Sequence, residues 1–472
     1  MTTEQRVDHH LYLNPKAVFD DDGESVMAVN AWAYPPAREF IEDRERFHSL
    51  FGRLRPALDG PVELSFDEAD REVLTRLERM GILLRTPIPD PFADTSVSRG
   101  AAFGGFTLEV EVGADPAGQL EPARELVASI DRRIGGLQRI VCRFVGEEPL
   151  DHPGTISAVM KVVGDAFMGL DLPPEALFWE IVTPLLRPPA DLARMLDSNE
   201  QARLIVEDRS EQQPAHAHPG SYGGRLEALE GLSREGFGVP VRIPTAFPED
   251  LPKRVTRWLK ANEDCGVHLV PQLSPTYRGG PAARIADEAD LERAAAVFRE
   301  ITPTISPIAH VCEPWRTHFV AAVSSGWSSV IWDTEHSRIH LAADGRWARS
   351  AEHGARGAWG SLAELQPLVE EGAALRRSAS QAPHGAGTDG WPGCPSCGYA
   401  PLCNRYWSPA GDAALRAGDV ETASLAARLE CSLRMITLAA LLDEWRREGR
   451  GRSYAGATRL SFDEGRVTYS SE

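Results

Sequence analysis

Residues 106–145 read FTLEVEVGADPAGQLEPARELVASIDRRIGGLQRIVCRFV. The first seven alternate apolar and polar side chains, the period of a strand with one face buried. LEPARELVASIDRRI follows with helical spacing, and RIVCRFV supplies a second strand. The rhythm then repeats through GTISAVMKVVGDAF, ALFWEIV, ADLARMLDS, ARLIVED, RLEALEGLSREGF, PVRIPTAF, KRVTRWLKANEDCG, HLVPQL and DLERAAAVFREI. About six β-α units over residues 106–305 predict an α/β fold with a parallel sheet and helices packed outside it, an open or partial barrel. In such folds the chemistry sits in the loops after the strands.

Upstream, residues 1–90 form a separate unit. LYLNPKAVF and SVMAVNAWAY read as strands around the acidic turn DDDGE, and AREFIEDRERFHSLFGRL as a polar helix. SFDEADREVLTRLERMGILLR carries the clearest local signal. Ser65 and Glu68 are spaced for a capping box, and Val73, Leu74, Leu77 and Met80 share a helix face. Gly81 suits the position past the helix end, and Ile82 to Leu84 read as a short strand. This order predicts a winged-helix-like module, joined by a Pro-, Gly- and Ser-rich linker at 91–105. Beyond residue 306 the rhythm breaks. THFVAAV, SSVIWD, SRIHLAA and GRWARS read as strands, with a turn at Asp344-Gly345. SLAARLECSLRMITLAALLDEWRRE reads as an amphipathic helix, and 451–472 as a polar tail with a hairpin.

The 472 residues exceed what one hydrophobic core serves and predict two to four domains. Fifty Lys and Arg against 69 Asp and Glu leave a formal charge of −19, which repels phosphate backbones and anionic lipid. No nucleic-acid and no membrane partner is expected. No apolar run reaches the roughly 18 to 20 residues of a membrane span, and MTTEQRVDHHLYL has no signal core. The expectation is a cytoplasmic protein, where clustered cysteines serve a metal or redox site more than disulfides.

Cys394, Cys397 and Cys403 stand in WPGCPSCGYAPLCNRYWSP, and Cys431 follows on the helix. Pro395 and Gly398 favour the tight turn that brings two thiolates to one centre. Four soft sulfur ligands suit zinc or an iron–sulfur cluster.

This spacing resembles the C-terminal SPASM domain of peptide-modifying radical S-adenosylmethionine enzymes. The resemblance implies one auxiliary [4Fe-4S] cluster on Cys394, Cys397, Cys403 and Cys431, with zinc as the alternative. A second auxiliary site looks erased: Trp407 stands at one ligand position, and Gly345-RWAR-Ser350 carries serine for cysteine. Cys312 lies too far upstream and is expected to be a buried apolar side chain. VGEEPLDHP resembles the family's Gly-Gly-Glu-Pro loop, with Gly146, Glu148 and Pro149 as the remnant of the S-adenosylmethionine contact and Glu147 in place of the second glycine. ARLIVEDRS stands where the fourth strand would, and PGSYGG resembles the loop after it. The order implied is a degenerate radical-SAM-like partial barrel at 106–305 and a SPASM-like domain at 306–450. Residues 1–90 resemble the precursor-recognition element of ribosomal-peptide-modifying enzymes, which takes an extended peptide as an added strand.

The departure lies after the first strand. The family places Cys-x3-Cys-x2-Cys there; this chain has GADPAGQLEP, and residues 1–141 contain no cysteine. Radical cleavage of S-adenosylmethionine is therefore not expected. The leading expectation is a maturation protein that binds a precursor peptide and presents it to a separate peptide-modifying enzyme, with no catalytic residues of its own. An iron–sulfur or metal-dependent peptide-modifying enzyme is the first alternative, and a zinc-stapled scaffold the second. His216 with His218, and His336 with His340, read as loop and solvent-face histidines. Glu147 and Glu148 read as a solvated loop. Gly104-Gly105 and Gly279-Gly280 lack the context of a phosphate loop. Most tryptophans of the SPASM-like region are expected to be core.

Overall fold

The computed structural model describes residues 11–14, 17–30, 37–54, 67–85, 104–129, 137–170, 172–189, 192–197, 202–209, 219–261, 266–273, 285–306, 311–323, 338–348, 359–360, 402, 419–449, 458–463 and 466–471. The sequence rhythm becomes six parallel strands in sequential order: β6 (Gly104–Glu111), β7 (Leu137–Val145), β8 (Leu177–Thr183), β9 (Ala202–Glu207), β10 (Val241–Thr245) and β11 (Val267–Pro271). Between them run α3 (Ala117–Ala128), α4 (Pro153–Met168), α5 (Leu192–Asp197), α6 (Pro219–Arg234) and α7 (Leu251–Ala261), and α8 (Glu288–Ile305) follows. One face of every strand enters a single apolar core with these helices. Phe106, Leu108 and Val110, Ile140, Cys142 and Phe144, and Trp179 and Ile181 point into it. This is the helix-covered partial barrel that the alternation predicts.

The sheet does not stop at residue 306. β12 (Arg338–Leu341) pairs in parallel with β6, and β13 (Trp347–Ala348) pairs antiparallel with β12, giving eight strands. The turn between them requires its glycine. Gly345 has φ +85°, and a Cβ there would collide with the Gly118 carbonyl oxygen. Gly345→Ala is expected to destabilise the protein by about 2 kcal/mol through backbone strain and that clash, read as a lowered midpoint in urea unfolding.

THFVAAV is helical, contrary to the strand expectation: α9 spans Trp315–Val323. A short apolar run reads alike for strand and buried helix. Here packing decides, because Trp315 stacks on Phe298 with ring centroids 4.6 Å apart and donates its indole N–H to Thr302 at 3.0 Å. Trp315 and Trp347 are core, as expected, and Cys312 is fully buried. SSVIWD lies outside the described residues. Helix α10 (Val420–Gly449) packs Leu425, Leu429 and Leu433 into the barrel core. The tail forms the expected hairpin, β14 (Thr458–Asp463) against β15 (Arg466–Ser471).

In the N-terminal unit, β1 (Tyr12–Leu13) pairs with β5 (Leu83–Leu84). Strands β2 (Ala17–Asp21), β3 (Val26–Asn30) and β4 (Ala37–Ile41) form an antiparallel sheet. AREFI is thus a strand, and α1 begins only at Arg44 (Arg44–Leu54). The reason is a period-two burial that helical spacing obscured: Glu39 and Ile41 face one way, Arg38 and Phe40 the other. Helix α2 (Glu68–Arg79) is capped by Asp67, which accepts from the Asp70 amide at 2.7 Å, so the cap sits two residues past the expected Ser65. Gly81 does follow the helix end, at φ +68°.

The sheet buries both faces. Val26, Ala28 and Ile41 pack on Phe47, Leu50, Leu74 and Leu77 of α1 and α2. Val18, Met27 and Val29 pack on Leu438, Leu441, Leu442 and Trp445 of α10. Sequence alone predicts a tethered module; packing joins it to the C-terminal helix.

Candidate functional site

The strand face turned away from the helices is charged. Parallel pairing aligns His340 of β12, Glu109 of β6, Arg143 of β7, Glu180 of β8 and Arg203 of β9 as successive cross-strand neighbours. A second row sets Glu207 of β9, Arg242 of β10 and His268 of β11 side by side. Opposite charges directly across a sheet attract, so the alternating row supports its own register. Arg143 reaches Glu180 at 2.7 Å, Arg338 binds Glu109, and Arg209 reaches Glu207 at 2.5 Å.

The β12 end is the tightest. Glu109 and His340 are both buried, with Glu109 Oε1 3.2 Å from His340 Nδ1, while Glu111 lies 3.7 Å from Nε2. Burial alone pushes Glu109 up, but the hydrogen bond from His340 and the charges of Arg338 and Arg143 override it and hold its pKa at about 2. Burial likewise pulls His340 down, and its bonds to Glu109 and Glu111 outweigh that and raise it to about 9. A histidine with both ring nitrogens on carboxylates is an imidazolium, which offers no lone pair to a metal. The solvent-face expectation for His340 is overturned, since its partners come from β6, over 200 residues upstream. His268 behaves oppositely: burial, then the charges of Arg203 and Arg242, lower its pKa to about 4 and leave it neutral.

The loops after the strands hold the remnant residues. Gly146 adopts φ +153°, and a Cβ would lie 3.3 Å from the Val112 carbonyl oxygen, so glycine is required there. Glu148 is half-buried: it accepts from the Thr183 hydroxyl and, at 2.8 Å, from the Leu186 amide. Pro149 opens a buried single turn. Glu147 is exposed. The Gly146 carbonyl accepts from Arg209 at 2.9 Å. PGSYGG is no loop; it forms the first turns of α6.

The loop after β6 is short and packed. Gln119, fully buried, donates to the carbonyls of Glu111 at 2.5 Å and Ala342 at 3.0 Å, and Thr155 donates to Gly113 at 2.9 Å. The β12–β13 turn therefore lies against this loop. Cys394, Cys397 and Cys403, with Trp407, Ser350, His216, His218, His336, Cys265 and Gly279-Gly280, lie outside the described residues. Cys431 is half-buried on α10, and Cys142 is buried with its thiol pushed far up. Among the described residues no group of three or more His, Cys, Asp or Glu is arranged to hold a metal ion, and no helix is long and apolar enough to cross a membrane.

No family model matches the chain, and no curated protein matches it. Among solved structures, anSMEcpe with bound AdoMet and the Cp18Cys peptide is 11% identical, with 73% of this chain and 99% of that one covered and a TM-score of 0.49. Streptococcus suis SuiB bound to S-adenosylmethionine is 11% identical over 84% of this chain and 94% of its own, with a TM-score of 0.36. SuiB bound to the precursor peptide SuiA gives 0.37 over the same shares. Likenesses of this extent carry no residue-by-residue correspondence.

Proposed function

We propose that this chain is a ribosomal-peptide maturation protein that binds a precursor peptide and presents it to a separate modifying enzyme, without radical cleavage of S-adenosylmethionine. The observation that carries the reading is the loop after β6. It has no thiolate to offer a site-differentiated cluster, since residues 1–141 lack cysteine, and Gln119 and the β12–β13 turn fill its surroundings. The Glu148 carboxylate is already engaged by Thr183 and Leu186, which further supports the loss of the cofactor contact.

The peptide-binding part of the reading rests on the N-terminal sheet. Among the described residues β4 is an edge strand, and Arg76 of α2 reaches it, donating to Glu39 and, at 2.8 Å, to the Phe40 carbonyl. An extended peptide adding a strand here would displace Arg76 from that carbonyl and pair with β4. On the chemistry of four thiols, Cys394, Cys397, Cys403 and Cys431 would hold one [4Fe-4S] cluster or, alternatively, zinc. Such a centre would fasten the segment around residue 400 to α10; no step of the peptide chemistry is assigned to it.

The test uses the full chain, with iron, sulfide and zinc content measured, and, as the candidate precursor, any short peptide found encoded beside its gene. Expected are saturable binding, slowed hydrogen exchange at residues 37–41 and 68–79, and an unchanged peptide mass after incubation. A mass change without a second enzyme would instead identify a peptide-modifying enzyme, and absent binding removes the recognition role.

A further inference from the structure

The charged inner face is not balanced along its length. At the β12 end each buried carboxylate has a close cation. At the β9–β11 end the cations are in excess. Glu207 is held by Arg209 at 2.5 Å, and among the described residues Arg242 keeps a contact to Glu207 at 3.7 Å. The Arg242 side chain is 25% exposed, and burial pulls its pKa down, the mark of a guanidinium with too little counter-charge. Arg203, exposed at the rim, makes no ion pair or side-chain hydrogen bond among the described residues. Its cross-strand neighbour Glu180 is taken by Arg143 at 2.7 Å. His268 stands next to Arg242 in register, and Arg316 adds a further positive charge nearby. The carboxylate of Glu313, also at this end, accepts from the Thr317 amide at 3.1 Å. In a protein of net charge −19, this is a local surplus of positive charge on a concave polar face.

We infer that the β9–β11 end of the inner face binds a carboxylate of a peptide, with Arg203 and Arg242 as its charged donors and His268 as a third polar contact. The site follows from the cation surplus; that its ligand is a peptide rests on the reading proposed above. Two arginines suit a carboxylate because each presents a planar fork of donors. The carboxylate belongs either to an acidic side chain or to a peptide C-terminus, and the two are separable.

The experiment titrates the full chain at low salt with three N-acetylated tetrapeptides: tetraglutamate with an amidated C-terminus, tetraglutamine with an amidated C-terminus, and tetraglutamine with a free C-terminus. Binding by the first assigns side-chain carboxylates, and binding by the third assigns the terminal carboxylate. Either result supports the site if Arg203→Gln weakens it about 10-fold, the loss expected for one charge-assisted hydrogen bond, and Arg203→Lys weakens it less. Arg203 is exposed, so these variants fold. In the complex the His268 pKa rises from about 4, because the added negative charge offsets the arginines. Equal binding of the amidated tetraglutamine, absence of binding, or indifference to both Arg203→Gln and Arg242→Gln overturns the inference. The tetrapeptides lack a precursor's recognition sequence, so precursor binding can survive that outcome, and the two readings fail separately.

Discussion

Arg446→Ala is expected to cost about 3 kcal/mol, the loss typical of removing one partner from a buried ion pair. The guanidinium, 9% exposed, reaches Asp20 Oδ2 and Asp22 Oδ2 at 2.6 Å each and donates to the Asp20 carbonyl at 2.5 Å. It also lies 5.9 Å from the centre of the Phe40 ring. Without it, Asp20 and Asp22 lose the guanidinium they share beside an apolar interface. Arg38 still donates to the Trp445 carbonyl at 3.0 Å, and the leucines of α10 remain, so the sheet stays docked but loosened. Urea unfolding followed by tryptophan emission reads the loss. Lysine at 446 restores only part of it, since a single ammonium does not match the two carboxylates as a fork does. An unchanged midpoint would mean that the apolar contacts alone hold the interface.

Glu109→Gln is expected to be of similar size, about 3 kcal/mol near pH 5.5, because each tenfold change in a group's proton affinity is worth about 1.4 kcal/mol. Glutamine keeps the shape and removes the charge that Arg338 and His340 share. The pH dependence has a definite sign. His340 is raised from 6.5 to about 9, so its contribution is full below 6.5 and fades as pH rises through 9. Glu109 is lowered from 4.5 to about 2, so its contribution is full above 4.5 and fades as pH falls through 2. Together they give a plateau between 4.5 and 6.5. In Glu109→Gln that plateau flattens, and the His340 resonance titrates closer to 6.5. A His340 that still titrates near 9 in the variant would place its partner elsewhere.

These two sites mark where the sequence was silent. The six parallel strands were legible because each carries its own alternation or apolar run, and each helix its own spacing. Local periodicity survives without knowledge of neighbours. The docking of Arg446 on Asp20 joins residues 426 positions apart, and no local pattern announces it. His340 looked like a solvent-face residue because its carboxylates belong to β6, and the register that aligns them is set by pairing. The helix at Trp315 is illegible locally for the same reason: stacking on Phe298 decides between two local conformations that the composition allows equally. Glu148 and Gly146 were found because a loop resemblance pointed at them. That Glu148 is tied to Thr183 and Leu186 was visible only in three dimensions. The cysteine spacing was the most specific sequence signal, with Cys431 alone of its four residues within the described structure.

The sandwich of β2–β4 between its own helices and α10 also constrains how the protein is made. Synthesis runs from the N-terminus at about 5 to 20 residues per second, so roughly 20 to 80 s separate the emergence of the sheet from that of Arg446. Throughout that interval Val18, Met27 and Val29 lack the cover of Leu438, Leu441, Leu442 and Trp445, although the residues that pack the opposite face, on α1 and α2, are already made. The nascent chain therefore carries an apolar β-surface until nearly its last turn of helix is translated. Any truncation before residue 438 removes the α10 side chains Leu438, Leu441, Leu442 and Trp445 and leaves that surface under-covered, as a template for self-association and a substrate for chaperones.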